Sequence, residues 1–183
     1  MKVDCRAGAA EMTAHLIEAG HRSIGVLWGN DPERETQQMV TGYRNILRAN
    51  GIRVKERLIQ KTENTIEGGY IGAKKMIADE LPDAIFATSD EIAYGAMDAL
   101  KDSGYSIPDD IAVAGFGNNR MSNLIEPKLT TVELPFRKMG IYGGRLLFDL
   151  IEGEEKPERH IILRSRMRIR KSCGHKERIG EMF

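Results

Sequence analysis

Short apolar runs alternate with longer segments of helical spacing along the middle of the chain. Three of these runs predict strands that are buried on both faces, because such strands lose the alternation of polar and apolar residues. They cover residues 24–28, 84–88 and 111–115, and residues 57–60 are a weaker fourth candidate. The longer segments between these runs are therefore the connections that join one predicted strand to the next.

Each connection carries an apolar stripe at the spacing of one helix face. The three stripes are Val40, Tyr43 and Leu47; Ile66, Tyr70, Ala73 and Ile77; and Ala93, Ala96, Met97 and Leu100. The resulting β-α-β-α-β-α-β order predicts an α/β fold. Its doubly wound parallel sheet would have right-handed crossovers and helices on both faces.

The two ends of the chain do not follow this alternation. Residues 6–20 predict a helix that no strand precedes, and residues 136–151 predict a helix that contains Gly140, Gly143 and Gly144. Small residues four apart allow another helix to approach closely. Further short strands are predicted at residues 130–134, 160–163 and 167–170. We interpret the two flanking helices as parts of a second lobe whose strands are missing from this chain.

Composition and charge exclude several classes of partner. The 27 basic and 27 acidic side chains cancel, so no net field attracts the chain to nucleic acid or to a membrane. The two cysteines, Cys5 and Cys173, lie far apart, which predicts reduced thiols in a cytosol. The N-terminus lacks the apolar core of a signal peptide, and every apolar run is short. We therefore predict a cytoplasmic protein.

No catalytic or metal-binding pattern is present in the sequence. The four histidines lack metal-ligand spacing, and there is neither a GxSxG elbow nor a P-loop. Gly115-Phe116-Gly117 follows a strand but lacks the third glycine of a dinucleotide fingerprint. We expect no enzymatic activity, no metal and no cofactor.

Arginines alternate with uncharged residues at Arg164, Arg166, Arg168 and Arg170. The pattern fits a phosphate-binding stripe. It also fits a strand whose one charged face is solvated and protects a sheet edge. We favour the edge strand, because no aromatic platform for bases is interleaved.

Polar loops follow the predicted strands, at the edge where doubly wound sheets bind ligands. These loops cover residues 29–31, 61–64, 89–90 and 116–120. Ser89-Asp90 begins a helix, where an N-cap is the common role. Phe136 follows Pro135 and fits two roles equally well, a ring-stacking floor for a ligand or the first core residue of a helix.

Five strings in order resemble the LacI/GalR family of bacterial regulators. HLIEAGHRSIG (15–25) matches the family's HLIxxGHRxIG pattern. Gly42-Tyr43, PDAIFA (82–87) with Asp90 and Gly95-Ala96, IPDDIAVAGF (107–116) and PKLTTV (127–132) follow at the family's spacing. The resemblance covers residues 4–173, which is nearly the whole chain.

This resemblance implies a two-lobed, periplasmic-binding-protein-like sensor that closes on a small molecule, often a sugar or a nucleobase. It implies a homodimer that contacts DNA only through an N-terminal head absent from this chain, and no membrane partner. The implied division is a partial N-terminal lobe (1–21), a complete C-terminal lobe (22–133), a helix returning to the N-terminal lobe (134–155), final strands of the C-terminal lobe (156–173) and a tail (174–183).

Three positions depart from the family pattern. Met39 stands where the family commonly has an effector-binding arginine, Ser89 where it has Asn and Gly117 where it has Asp. Each buried hydrogen-bond partner left unpaired costs about 1–3 kcal/mol, so we expect that a common hexose is not bound in the usual way. A less polar effector, or use of Asn119 and other nearby amides, would fit these changes. The effector-binding candidates are Asn30, Met39, Asn64, Ser89, Asp90, Gly117, Asn118 and Phe136.

Three other functions compete with the sensor of a transcriptional repressor. A periplasmic-type solute-binding protein of the same fold would need an export signal, and an enzyme would need a constellation that the sequence lacks. A stand-alone interaction module of the same fold stays open. We expect that this chain alone does not bind an operator.

Overall fold

Five parallel strands and one antiparallel strand form the main sheet. The computed structural model describes residues 2–30, 33–153 and 161–174. The strands are β2 (Ile24–Gly29), β3 (Ile59–Thr62), β4 (Ala84–Ala87), β5 (Ala112–Gly117), β6 (Thr130–Glu133) and β8 (Arg166–Arg168). Their order across the sheet is β3-β2-β4-β5-β6-β8, with only β8 antiparallel to its neighbour. A separate parallel pair joins β1 (Lys2–Val3) to β7 (Ile162–Leu163).

Successive side chains of each strand enter different cores, as the pleat requires. Val26 and Phe86 point into one core, whereas Leu27 and Ile85 point into the other. The first core contains α1 (Cys5–Glu18) and α2 (Glu33–Ala49), and the second contains α3 (Ile66–Asp79) and α4 (Asp90–Asp102). Helices therefore cover both faces of the parallel sheet, and the predicted doubly wound α/β fold is confirmed.

The first helix lies on this sheet and not in a second lobe. Ala9, Met12 and Leu16 of α1 are fully buried, in the same core as Val26 and Phe86. A Cβ atom at Gly42 of α2 would touch the Arg6 carbonyl oxygen, so the two helices are in close contact. The assignment of residues 1–21 to a partial N-terminal lobe was wrong for this helix, because its apolar face is covered by the sheet and by α2.

The fifth helix has a different environment. None of the residues of α5 (Phe136–Ile151) is buried, although the helix is amphipathic. Phe148, Leu150 and Ile151 are among its exposed apolar side chains. That residues 134–155 belong to a second lobe stays a prediction.

Element boundaries differ from the prediction at several places. A 3-10 turn (Glu56–Leu58) precedes β3, which displaces that strand from the predicted residues 57–60. The predicted α3 stripe is also shifted: Ile66 is 43% exposed, and the buried face consists of Gly68, Gly69, Gly72, Ala73 and Met76. Residue 160 of the predicted strand 160–163, residues 156–159 and residues 175–183 of the predicted tail lie outside the described residues.

Candidate functional site

The carboxyl ends of the parallel strands bring the predicted loops to one edge of the sheet. The Gly29 amide at the end of β2 donates a hydrogen bond to Thr88 Oγ1 beyond β4, at 3.0 Å. Asn64, beyond β3, lies so close that a Cβ atom at Gly29 would be 3.0 Å from the Asn64 Cβ. The loops that follow β2, β3 and β4 therefore contact each other at this edge.

Asp90 joins three elements at the same edge but faces inward. Its side chain is fully buried. One carboxylate oxygen accepts hydrogen bonds from the Asn119 amide (2.6 Å) and Ser122 Oγ (2.7 Å), and the other accepts one from Thr131 Oγ1 (2.5 Å). Three donors satisfy the desolvated carboxylate, as a buried charge requires. These bonds hold the loop after β5 to α4 and β6, and contact of Asp90 with an effector stays a prediction.

Met39 is likewise a core residue. It is buried in the core shared by α1 and α2, beside the sheet, and lines none of the described cavities. Packing satisfies this apolar side chain in the described structure, and its role in effector binding stays a prediction. Ser89 caps α4 by accepting a hydrogen bond from the Ile92 amide at 3.3 Å.

The turn after β5 has an unusual backbone. Gly117 has φ +136° and Asn118 has φ +59°, a left-handed conformation that Asn tolerates better than most residues. The Asn118 side-chain amide donates to Glu133 Oε1 (3.3 Å), and its oxygen accepts a hydrogen bond from the Arg170 guanidinium (2.7 Å). These bonds fix the turn against β6 and the segment after β8.

A cavity of about 510 Å³ opens beside this turn. Its lining residues come from the ends of β5 and β6, from the start of α5 and from the segment around β8. They are Gly117, Asn118, Glu133, Leu134, Pro135, Phe136, Arg137, Lys138, Arg164, Arg166 and Arg168. Three of the predicted site residues, Gly117, Asn118 and Phe136, are thus brought together around one space.

Phe136 is 61% exposed and contributes to two cavities, so it is not the first core residue of its helix. The second cavity, of about 330 Å³, also contains Cys5 and Glu35. Burial, together with the charges of Glu35 and Asp4, raises the pKa of the Cys5 thiol. A thiol that stays protonated is a poor nucleophile.

The remaining predicted residues lie elsewhere along the edge. Asn30 lines a third cavity of about 570 Å³ with Lys61, Thr62, Glu63, Glu67, Gly68 and Ile71. Asn64 is exposed beside Gly29 and lines none of the described cavities. Asn30 and Asn64 are therefore not gathered with Gly117, Asn118 and Phe136.

The basic lining of the 510 Å³ cavity was not predicted from the sequence. β8 pairs with β6 at the sheet edge as favoured, with Arg166 and Arg168 exposed on either side of Met167. Arg164, Arg166 and Arg168 nevertheless line the cavity. Arg168 pairs with Glu133 at 2.7 Å. The alternating arginines were the signal, but only the fold shows that they face a concave space.

Residues 2–30, 33–153 and 161–174 contain neither a metal-binding cluster nor a membrane-spanning helix. No group of three His, Cys, Asp or Glu side chains in these ranges has the geometry to hold a metal ion. None of the helices there is long and apolar enough to cross a bilayer.

Comparison with known proteins places this geometry in a known group. Residues 13–173 match the periplasmic binding protein-like domain. The catabolite control protein A of Staphylococcus xylosus is 31% identical over 170 residues, which are 93% of this chain and 51% of that protein. The chain spans about half the length of the curated relatives it matches.

Solved structures of transcriptional regulators have a similar fold. The transcriptional regulator CelR in complex with cellobiose superposes with a TM-score of 0.88 at 31% identity, over 93% of this chain and 52% of that chain. A LacI family transcriptional regulator from Enterococcus faecium with bound ribose gives a TM-score of 0.85 at 28% identity, over 96% and 65%.

Proposed function

The chain belongs to the periplasmic binding protein-like domain family, as the effector-binding domain of a LacI-type transcriptional regulator. From this premise we propose that it senses a small molecule and thereby controls the DNA binding of the whole regulator. The observation that carries the proposal is the 510 Å³ cavity at the carboxyl ends of β5 and β6. Small-molecule sites are concave spaces of roughly this size, and doubly wound sheets place them at this edge.

Two predicted residues give the cavity its recognition groups. The exposed ring of Phe136 offers an apolar face on which a sugar or heterocyclic ring stacks. Asn118 borders the same cavity, and the bonds to Glu133 and Arg170 hold its amide in one orientation. The aromatic ring of Phe136 and the oriented amide of Asn118 suit a polar effector that contains a ring.

Relatives bind neutral sugars, cellobiose in CelR and ribose in the Enterococcus faecium regulator. Met39 and Asp90, two of the residues expected at the family's site, are buried here and engaged internally. We therefore keep the proposal that a common hexose is not bound tightly.

We place DNA recognition in a head outside this chain, because the 27 basic and 27 acidic side chains of this chain cancel. The exposed apolar residues of α5 support pairing with a second copy in a homodimer. Sedimentation as a monomer at high concentration would contradict the pairing, and an electrophoretic shift of operator DNA by this chain would contradict the placement of the head.

Calorimetric titration with a panel of sugars, nucleosides, sugar acids and sugar phosphates tests effector sensing. Binding of one class is expected, and Phe136→Ala should weaken it about tenfold. Phe148→Ala is the matched control, because Phe148 is exposed on the same helix outside the cavity lining. Equal losses in both variants, or no binding by any compound, would contradict the proposed site.

A further inference from the structure

We infer that the 510 Å³ cavity binds a small molecule carrying an anionic group, a phosphate ester or a carboxylate. This inference rests on the proposed function and names the chemical class of its effector. The cavity is lined by five cationic side chains and one carboxylate. The whole chain carries no net charge, so these cations are concentrated locally.

The charge of the cavity is only partly neutralised by the protein. Glu133 pairs with Arg168 at 2.7 Å. Within the described ranges, the other four cations, Arg137, Lys138, Arg164 and Arg166, have no carboxylate within ion-pair distance. Four like charges around one concave space repel each other, and an anion bound between them would relieve that repulsion.

The cations come from two separate elements. A solvated edge strand explains Arg164, Arg166 and Arg168 along β7–β8, but it does not explain Arg137 and Lys138 at the start of α5. Cations from two separate elements that line one cavity are what an anionic ligand needs. This second element favours an anion-binding role for the arginines in addition to the edge-strand pairing that β8 makes with β6.

The first turn of α5 also has the wrong charge for its own stability. A helix N-terminus favours acidic residues, and α4 begins with Asp90 and Glu91. α5 instead begins with Arg137 and Lys138, with no acidic residue in its first turn and no side-chain cap. A ligand anion in the cavity would supply the negative charge that this helix end lacks.

Arginine side chains suit this ligand class. A guanidinium donates two parallel hydrogen bonds to a phosphate or a carboxylate, whereas a neutral hydroxyl can accept such a bond but leaves the positive charge of the cavity unneutralised. The exposed ring of Phe136 remains available to the uncharged part of the molecule. The ligand that fits is a sugar-sized compound with one anionic group.

Titration with glucose 6-phosphate, glucuronate, inorganic phosphate and glucose tests the inference. An anionic probe should bind at least about tenfold more tightly than glucose. The affinity should fall when the salt rises from about 50 to about 300 mM. Preference for the phosphate ester or for glucuronate identifies the anionic group. If glucose binds as well as both charged sugars, the inference fails and the proposed function stands. If no compound binds at all, both fail.

Variants that remove either cations or the carboxylate from the cavity lining test whether the anionic probe binds there. Arg164→Gln with Arg166→Gln should weaken the anionic probe about tenfold or more. Arg53→Gln, an exposed arginine before β3 at the other edge of the sheet, should change nothing. Glu133→Gln should strengthen binding several-fold, because it releases Arg168 and still accepts the Asn118 bond.

Two results would overturn the inference. One is unchanged affinity in the double arginine variant, which would place the anion elsewhere. The other is binding of a DNA duplex that depends on Arg164 and Arg166 while the small anions do not bind, because the basic surface would then serve nucleic acid.

Discussion

The helix pair α3–α4 and the lone helix α5 contain glycines for opposite reasons. In the pair, a Cβ atom at Gly69 would overlap the Ile92 carbonyl oxygen, and one at Gly95 would overlap that of Ile66. In α5, a Cβ atom at Gly140 or Gly144 would meet nothing within 4 Å. Similar small-residue patterns thus mark a tight backbone contact in one region and an unoccupied surface in the other.

The difference shows which helices of this chain have their apolar faces buried within the chain itself. The sheet and the helices α1–α4 bury their apolar faces against each other, in two cores. α5 carries exposed Phe136 and Leu147 among its apolar residues and buries none. Stability should therefore respond strongly to changes between α3 and α4 and weakly to changes on α5, and substitutions can test this contrast.

The largest loss is expected for Gly95→Ala. The new methyl group would overlap the Ile66 carbonyl oxygen and lie 2.6 Å from the Tyr70 amide nitrogen, and both are backbone atoms that cannot rotate away. Overpacking of this kind should lower the free energy of unfolding by about 3 kcal/mol. Urea denaturation measures it. A loss below about 1 kcal/mol would mean that the two helices separate easily and would remove the contrast with α5.

Asp90→Asn should cost somewhat less. The substitution places an amide among three donors, Asn119 N–H, Ser122 Oγ and Thr131 Oγ1, so at least one buried bond is lost. We expect the free energy of unfolding to fall by about 2–3 kcal/mol. Asp98→Asn is the matched control on an exposed position of the same helix. Equal effects of the two variants would show that Asp90 does not hold the loop.

The sequence was informative where burial produces a hydrophobic pattern. The runs around Val26, Phe86 and Val113 predicted a parallel sheet, because each strand is covered on both faces. The buried face of α3 was not predictable in the same way. It contains Gly68, Gly69 and Gly72, and glycine contributes no apolar signal.

The sequence also did not predict which elements that lie far apart along the chain pack against each other. Nothing in residues 6–20 shows that α1 packs on the sheet beside α2. The short strand β1 before it was not predicted either, so the helix was assigned to another lobe. The basic cavity likewise depends on the backbone register that sets Arg166 opposite Glu133 across β6 and β8. Spacing along the chain identifies a strand edge but does not show which concave surface it borders.

Tyr43→Phe should have a moderate, pH-dependent effect within the α1–α2 core. The buried hydroxyl donates to the Ile24 carbonyl oxygen at 2.7 Å, so its loss should cost about 1 kcal/mol at neutral pH. Burial raises the pKa of Tyr43 above its usual range. Below about pH 10, both folded and unfolded states keep the proton, and the difference between wild type and variant is constant.

Above about pH 10 the unfolded phenol loses its proton while the folded one keeps it, so the stability contributed by Tyr43 falls by about 1.4 kcal/mol for each pH unit. The variant lacks this loss, and its stability should overtake that of the wild type. Urea denaturation between pH 7 and about 11 measures the crossing. Tyr142→Phe on α5, where the side chain is partly exposed, is the control and should show no crossing. Parallel curves for wild type and Tyr43→Phe would contradict the buried hydrogen bond.

The smallest effect is expected for Gly140→Ala, the counterpart of Gly95→Ala. Nothing lies within 4 Å of the new methyl group, and alanine favours the helix by about 0.5–1 kcal/mol relative to glycine. Amide hydrogen exchange in α5 should slow slightly, with no loss of overall stability. If the variant instead weakens self-association in sedimentation, Gly140 lies at a close contact between copies. In that case the surface of α5 has the same packing requirement as α3 and α4, supplied by a second molecule and not by this one.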